Sequence, residues 1–183
     1  MKRWIGTVAV LAVVAVLSSG CQSRTTRTTH ESSWPTYQME TAYTEEDFAW
    51  ALGEGEATVA GEAFLKTRGG DVKTCAGERV VLLPSNAYTK EVLAVAPEIG
   101  TTYSGWDVNR GYQDYRRVTR CRSDGRFVFN DVPAGRWFLS ATVEWQAPSQ
   151  YGLLRQGGVL RREIDVGAAG AEDIVLTAAN LVR

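Results

Sequence analysis

The chain has 183 residues, 44% of them hydrophobic, which is enough for one packed domain with a leader and a tether but hardly for two domains. Its formal net charge is −1, and without the basic residues Lys2 and Arg3 of the leader, 18 basic residues face 21 acidic ones, a balance of −3 that argues against a nucleic-acid-binding protein. The 18 glycines fall between short apolar runs, and long patterns with helical period are missing, so the composition favours an all-β protein.

The first 21 residues have the pattern of a lipoprotein signal peptide. Lys2 and Arg3 precede the apolar run 4–17, which is too short to span a bilayer comfortably. The segment 17–21 then ends at Cys21 and resembles a bacterial lipobox, although Leu17 lies four residues before the cysteine, one further than usual. We expect cleavage before Cys21 and acylation of its thiol. The alternatives are an ordinary cleavable signal with an incidental cysteine, or an uncleaved anchor.

Lipidation at Cys21 would fix the compartment of the protein. Each buried methylene of an acyl chain contributes about 0.8 kcal/mol, so two or three chains hold a protein on its membrane. Gln22 follows the cysteine where an aspartate would indicate retention in the inner membrane of a Gram-negative cell. The resemblance therefore implies a bacterial cell envelope protein in the outer membrane.

Residues 22–44 are rich in Ser, Thr, Glu and Gln and predict a flexible tether. His30, the only histidine, lies in this tether, and no second metal-ligand type clusters near it. We expect the folded domain to comprise residues 45–183. Its first segment, 45–52, fits either a short helix or a first strand.

Short apolar runs, many of them with a period of two residues and one of them (79–83) continuous, predict the strands of the domain. The clearest is 137–145, where Trp137, Leu139, Ala141, Val143 and Trp145 share one face. The predicted strands are 57–65, 72–75, 79–83, 126–129, 137–145, 162–166 and 173–176. Strands at this density indicate a β-sandwich whose two sheets bury their apolar faces against each other.

The segment DGRFVFNDVPAGRW at residues 124–137 resembles the turn-strand-turn-strand signature of carboxypeptidase regulatory-like domains. GEAFL at 61–65 and CAGERVVLLP at 75–84 fit the first two strands of that family, and the match covers about residues 57–176. The resemblance implies a transthyretin-like (prealbumin-like) β-sandwich of about seven strands. It also implies an accessory role without catalytic residues.

Cys75 and Cys121 are the other two cysteines. An exported chain meets an oxidising compartment, so we predict a disulfide bond between them. The alternative is two separately buried thiols, which pack well as small apolar groups.

The segment 85–117 is longer than a hairpin connection, and its structure does not follow from the sequence. It contains a candidate partner surface formed by Tyr103, Trp106, Tyr112, Tyr115 and Arg116. Aromatic and arginine side chains are common where proteins bind proteins or glycans. The stronger alternative is that the aromatic side chains cover one end of the sandwich, as those of long loops usually do.

No catalytic motif, cofactor site or metal site is evident. Asp107 and Asp114, like the acidic segment 45–47, lack the spacing of a calcium cage and fit a solvated face. The sequence thus favours a lipoprotein with a non-catalytic interaction or structural module, whose partners are the membrane and another envelope protein or a glycan. A small-ligand or glycan carrier, or an enzyme with an unrecognised site, are the alternatives.

Overall fold

The computed structural model of the protein describes residues 34–182. The leader, Cys21 and His30 lie outside these residues, so the predictions for them stay predictions. None of the helices among residues 34–182 is long and apolar enough to cross a membrane.

The described residues form an all-β protein with two short α-helices. In chain order the elements are β1 (Thr36–Gln38), α1 (Glu46–Ala49), β2 (Ala57–Lys66), β3 (Val72–Thr74), β4 (Arg79–Pro84), α2 (Ala87–Val95), β5 (Gly105–Asp107), β6 (Arg117–Arg120), β7 (Arg126–Val132), β8 (Gly135–Ser149), β9 (Gly152–Val166) and β10 (Ala171–Leu176). Short 3₁₀ segments follow or join them at Trp50–Leu52, Ala96–Glu98, Arg110–Tyr115 and Ala178–Asn180.

Eight of these strands form two sheets. In the first sheet, β2 pairs in parallel with β10 and antiparallel with both β7 and β3. The second sheet has the order β6-β4-β8-β9 and is antiparallel throughout. All seven predicted strands are present, and β6 is an additional strand that lies in the segment 117–120.

The two sheets bury their facing side chains in one hydrophobic core. In β8 every second residue from Trp137 to Val143 is buried, as the period of the sequence predicts. The largest fully buried side chains from the two sheets are Trp137, Phe127, Leu82, Leu139, Leu160 and Leu176. Burial of each such side chain contributes roughly 1.5–3 kcal/mol, so this core supplies most of the driving force for folding.

The segment 124–137 turns the chain from β7 into β8. Gly125 has a φ of 88°, which an L side chain rarely adopts, and Phe127 and Phe129 both point into the core. The indole of Trp137 donates a hydrogen bond to the carbonyl of Pro133 at 3.2 Å. A Cβ on Gly135 would lie 2.4 Å from the ring of Trp50, so glycine is required where the chain passes this indole.

The predicted disulfide between Cys75 and Cys121 is present and both cysteines are buried. Cys75 follows β3 of the first sheet, whereas Cys121 follows β6 of the second. The bond therefore joins the edges of the two sheets. The Cys121 amide also donates to the carbonyl of Glu78 at 2.9 Å, which fixes the turn before β4.

The structure differs from the expected elements at three places. The last part of the predicted tether is folded, because β1 pairs in parallel with β5. The segment 45–52 is helical, which decides between the two alternatives. Finally, β8 and β9 have 15 residues each and continue as a two-stranded ribbon beyond β4, whose pairing with β8 begins at Ala141. Near the tip of this ribbon Tyr151 and Leu153 are exposed at 84% and 66%.

Candidate functional site

The face of the second sheet that points away from the core carries an unusual row of side chains. The pairing register places Val118 of β6, Val81 of β4, Ser140 of β8 and Arg161 of β9 side by side. Two residues further along the strands, Arg79 lies on β4 and Val159 on β9, opposite Thr142. Apolar, hydroxyl and guanidinium groups therefore lie next to one another on the outward face of the sheet.

These side chains form a cleft of about 280 Å³, which we call the outer cleft. Helix α2 lies at one end of it and contributes Leu93. The outer cleft is lined by Arg79, Val81, Leu83, Leu93, Arg116, Val118, Ser140, Thr142, Val159 and Arg161. Ser140, Thr142 and Arg161 are half-buried, whereas Arg79 and Arg116 are exposed at the rim. The cleft thus combines an apolar floor with donors of several types.

Arg161 lies deepest among the arginines of the outer cleft. Its Nε donates to Ser140 Oγ at 3.2 Å. Burial lowers the pKa of the Arg161 guanidinium, and the neighbouring Tyr112 opposes this effect. The guanidinium nevertheless stays protonated, since the pKa of arginine lies far above neutral pH. None of the ion pairs within residues 34–182 involves Arg161.

Helix α2 is held at its end of the outer cleft by a cap and a hydroxyl. Asn86 and Thr89 form a reciprocal capping box, in which the Thr89 amide donates to Asn86 Oδ1 at 2.9 Å. Thr89 is fully buried and its hydroxyl donates to the carbonyl of Pro84 at 2.8 Å. This contact fixes the first turn of α2 directly on the end of β4.

Three residues of the predicted partner surface pack on a second, smaller cluster. This aromatic cluster has Phe48, Tyr88 and Val92 as its buried centre. The side chains packed against it are Met39, Tyr43, Trp106, Val108, Tyr112 and Tyr115. Phe48 and Tyr115 have ring centroids 5.1 Å apart. Burial and a hydrogen bond with Tyr115 raise the pKa of Tyr43 to about 12.

The other two residues of that predicted surface lie elsewhere. Tyr103 packs edge-on against Tyr37, with ring centroids 5.1 Å apart. Arg116 lines the outer cleft, and its Nη1 donates to Gln113 Oε1 at 3.1 Å. The structure therefore divides the five residues between an aromatic cluster, a contact with β1 and the outer cleft.

The segment 36–44, which we call the N-terminal strap, is attached to α2 through one carboxylate. Glu91 accepts hydrogen bonds from the amides of Glu40 at 2.6 Å and Thr41 at 2.8 Å, and from the hydroxyl of Tyr37 at 3.1 Å. Burial raises the pKa of Glu91, but the hydrogen bonds from Thr41, Glu40 and Tyr37 together outweigh it and lower the pKa below its ordinary value.

A second cleft, of about 430 Å³, lies on the outer face of the first sheet. Its charged side chains are Glu62, Arg122, Arg126, Glu172 and Asp173. Acidic and basic groups thus occur together there, in contrast to the outer cleft. No group of three or more metal-ligating side chains is found in either cleft or elsewhere in residues 34–182.

Sequence reasoning missed most of the outer cleft because it started β9 at residue 162, whereas the strand begins at Gly152. Val159 and Arg161 were therefore not recognised as neighbours on one face. The available signal was the polar face of β8, where Ser140 and Thr142 alternate with the core residues.

The chain has an all-β fold in which two sheets pack against each other. No family model matches the chain, and no curated protein matches it. Among solved structures, the chain is similar to a crystal structure of a Pseudomonas aeruginosa protein whose proposed function is carbohydrate binding. The TM-score is 0.64 at 22% identity, over 75% of this chain and 98% of the other. At this identity the likeness shows the fold alone.

Proposed function

We propose that this protein is a non-catalytic module that binds a saccharide in the outer cleft. The observation that carries the proposal is the lining of the cleft: Val81 and Val159 offer an apolar floor, while Ser140, Thr142 and Arg161 offer polar groups beside it. A sugar ring has an apolar face and a rim of hydroxyls, so it needs both kinds of contact at once. Carbohydrate binding is also the proposed function of the similar Pseudomonas aeruginosa protein.

The side chains that line the outer cleft also favour ligand binding over catalysis. Catalysis by acid and base requires positioned titratable groups with suitable pKa values. The cleft is lined by arginines, hydroxyls and apolar side chains. Arginine stays protonated and serves as a donor, which suits recognition of a ligand.

A glycan array probed with the full chain, purified in mild detergent, tests this proposal. Saccharides retained on the array are then titrated by calorimetry against the protein and two variants. Thr142→Val removes a hydroxyl of the cleft at nearly constant volume, and Thr58→Val makes the same change in β2 of the other sheet. We expect affinity to fall about fivefold in the first variant, the worth of one hydrogen bond, and to be unchanged in the second. Failure to retain any saccharide would refute the proposal.

We further propose that the module is a carboxypeptidase regulatory-like domain, and that a lipid on Cys21 holds it at the bacterial envelope, in the outer membrane. The signature at residues 124–137 and the lipobox-like segment ending at Cys21 support these two statements. Cells that express the protein should incorporate a clickable palmitate analogue into it, and Cys21→Ser should abolish the labelling. A labelled Cys21→Ser protein would contradict the lipid assignment.

A further inference from the structure

The outward face of the second sheet has carboxylates, but lysine and arginine side chains outside the outer cleft already pair with them. Glu144 of β8 pairs with Arg155 at 3.3 Å. On β9, Asp165 pairs with Arg136 at 3.0 Å. Glu163, which is only two residues from Arg161, accepts from Ser85 at 2.6 Å and pairs with Lys90 at 3.2 Å. These acidic groups are therefore not available to neutralise the positive charge of the arginines in the outer cleft.

The three arginines of the outer cleft are left without acidic partners. Among the ion pairs of residues 34–182, none includes Arg79, Arg116 or Arg161. The hydrogen bonds of Arg161 and Arg116 go to the neutral side chains of Ser140 and Gln113. Arg161 is half-buried, and the neutral hydroxyl of Ser140 replaces only part of its lost hydration, so an anion bound beside it is favoured.

The positions of the arginines fit a ligand that carries more than one anionic group. Arg161 lies on β9, at one edge of the sheet, and Arg116 adjoins β6, at the other edge. Neighbouring strands are about 4.8 Å apart, so β9 and β6 lie roughly 14 Å from each other. Val81 of β4 lies between these two edges, and Val118 is its neighbour on β6. The apolar floor is thus flanked by planar donors that match carboxylates in a bidentate manner.

We propose that the outer cleft selects saccharides that carry carboxylates, that is, uronate-containing oligosaccharides. This inference rests on the proposed saccharide-binding function and names its ligand class. The carboxylates bind Arg161 and the rim arginines, while the sugar rings lie over the valines with their hydroxyls towards Ser140 and Thr142.

The test compares two hexamers whose carboxylates are either free and anionic or blocked as neutral methyl esters. The full chain in mild detergent is titrated with hexagalacturonate and with its methyl ester. We expect the acid form to bind at least tenfold more tightly, and its affinity to fall as salt is raised. Arg161→Gln should weaken binding of the acid form about tenfold. Arg126→Gln, which removes one positive charge from the cleft on the opposite sheet, serves as the matched control and should bind like the unaltered protein.

Arg161→Lys keeps the charge but loses the planar fork, and a melting curve of each variant shows that it is folded. We expect Arg161→Lys to bind between the unaltered protein and Arg161→Gln. Equal binding of the acid and the methyl ester would overturn the selection for carboxylates and leave saccharide binding standing. Binding of neither hexamer, with no saccharide retained on the array, would overturn both. Equally tight competition by inorganic phosphate or by an oligodeoxythymidylate would overturn the uronate assignment in favour of a general anion site.

Discussion

Removal of the bond between Cys75 and Cys121 should destabilise the protein through its unfolded state. The two cysteines are 46 residues apart in sequence, and the loop that they close contains β4, α2, β5 and β6. In the chain-entropy model, closing a loop of this length reduces the entropy of the unfolded chain by an amount worth about 4 kcal/mol at 25 °C. This value is an upper bound for the intact sandwich, since the model leaves strain and residual structure out.

The measurement is urea unfolding of the same protein with and without reductant, which leaves the sequence unchanged. For a domain of this size the slope is about 2 kcal/mol/M, so the midpoint should fall on reduction by an amount that reaches at most about 2 M. The double variant Cys75→Ala, Cys121→Ala should show a similar or larger fall, because it also removes two buried sulfur atoms. Coincident midpoints of the oxidised and reduced protein would refute the entropic argument. Two free thiols in the unreduced folded protein would refute the bond itself.

Three further predictions concern single side chains. Phe127→Ala should cost about 3–5 kcal/mol in a denaturant melt, because the ring is 1% exposed in the core; a loss below 1 kcal/mol would contradict its place there. Gly135→Ala places a methyl 2.4 Å from Trp50, so we expect a loss of about 1–3 kcal/mol and a changed tryptophan fluorescence spectrum, and an unchanged spectrum would contradict the close approach. The folded-state pKa of Glu91 is lowered, so its contribution to stability is present above the ordinary value of 4.5 and is lost as the pH falls through the folded-state value. Glu91→Gln should therefore lower the melting temperature at pH 7 by more than at pH 3, and an equal effect at both would show that the ionised carboxylate is not what holds the strap.

The strands were predictable because their burial follows a period of two. Trp137, Leu139, Ala141 and Val143 alternate with polar residues, and a strand turns successive side chains to opposite faces. The ribbon of β8 and β9 was not predictable in full, because residues 152–158 are glycine-rich and exposed and thus lack a buried face. Residues 152–158 form a strand because they pair with β8.

The start of helix α2 carries a local sequence signal. Asn86 is a favoured N-cap residue and thus a signal for a helix start, although Thr89 stands where a capping box usually has Glu or Gln. The aromatic side chains of residues 85–117 could be assigned to a loop from sequence, but whether they face solvent or each other depends on which segments meet. Phe48, from a helix before β2, and Tyr88, from α2, form the surface on which Tyr112 and Tyr115 pack.

The outer cleft could not be derived from sequence for a related reason. Arg79, Ser140 and Arg161 are far apart along the chain, and only the register of β4, β8 and β9 brings them onto one face. The absence of an acidic partner for Arg161 is also a property of the fold, since Glu163 instead binds Lys90 and Ser85.

The N-terminal strap has a mechanical consequence. Only three residue pairs join β1 to β5, and the Glu91 carboxylate fastens the next residues, whereas the sandwich below is closed by long strands and a covalent bond. A pulling force applied to the N-terminus reaches this weak fastening first. Peeling off residues 36–44 would lengthen the connection by at most about 30 Å while the two sheets stay intact. A load on the N-terminus would therefore release the strap before it disturbs the two sheets.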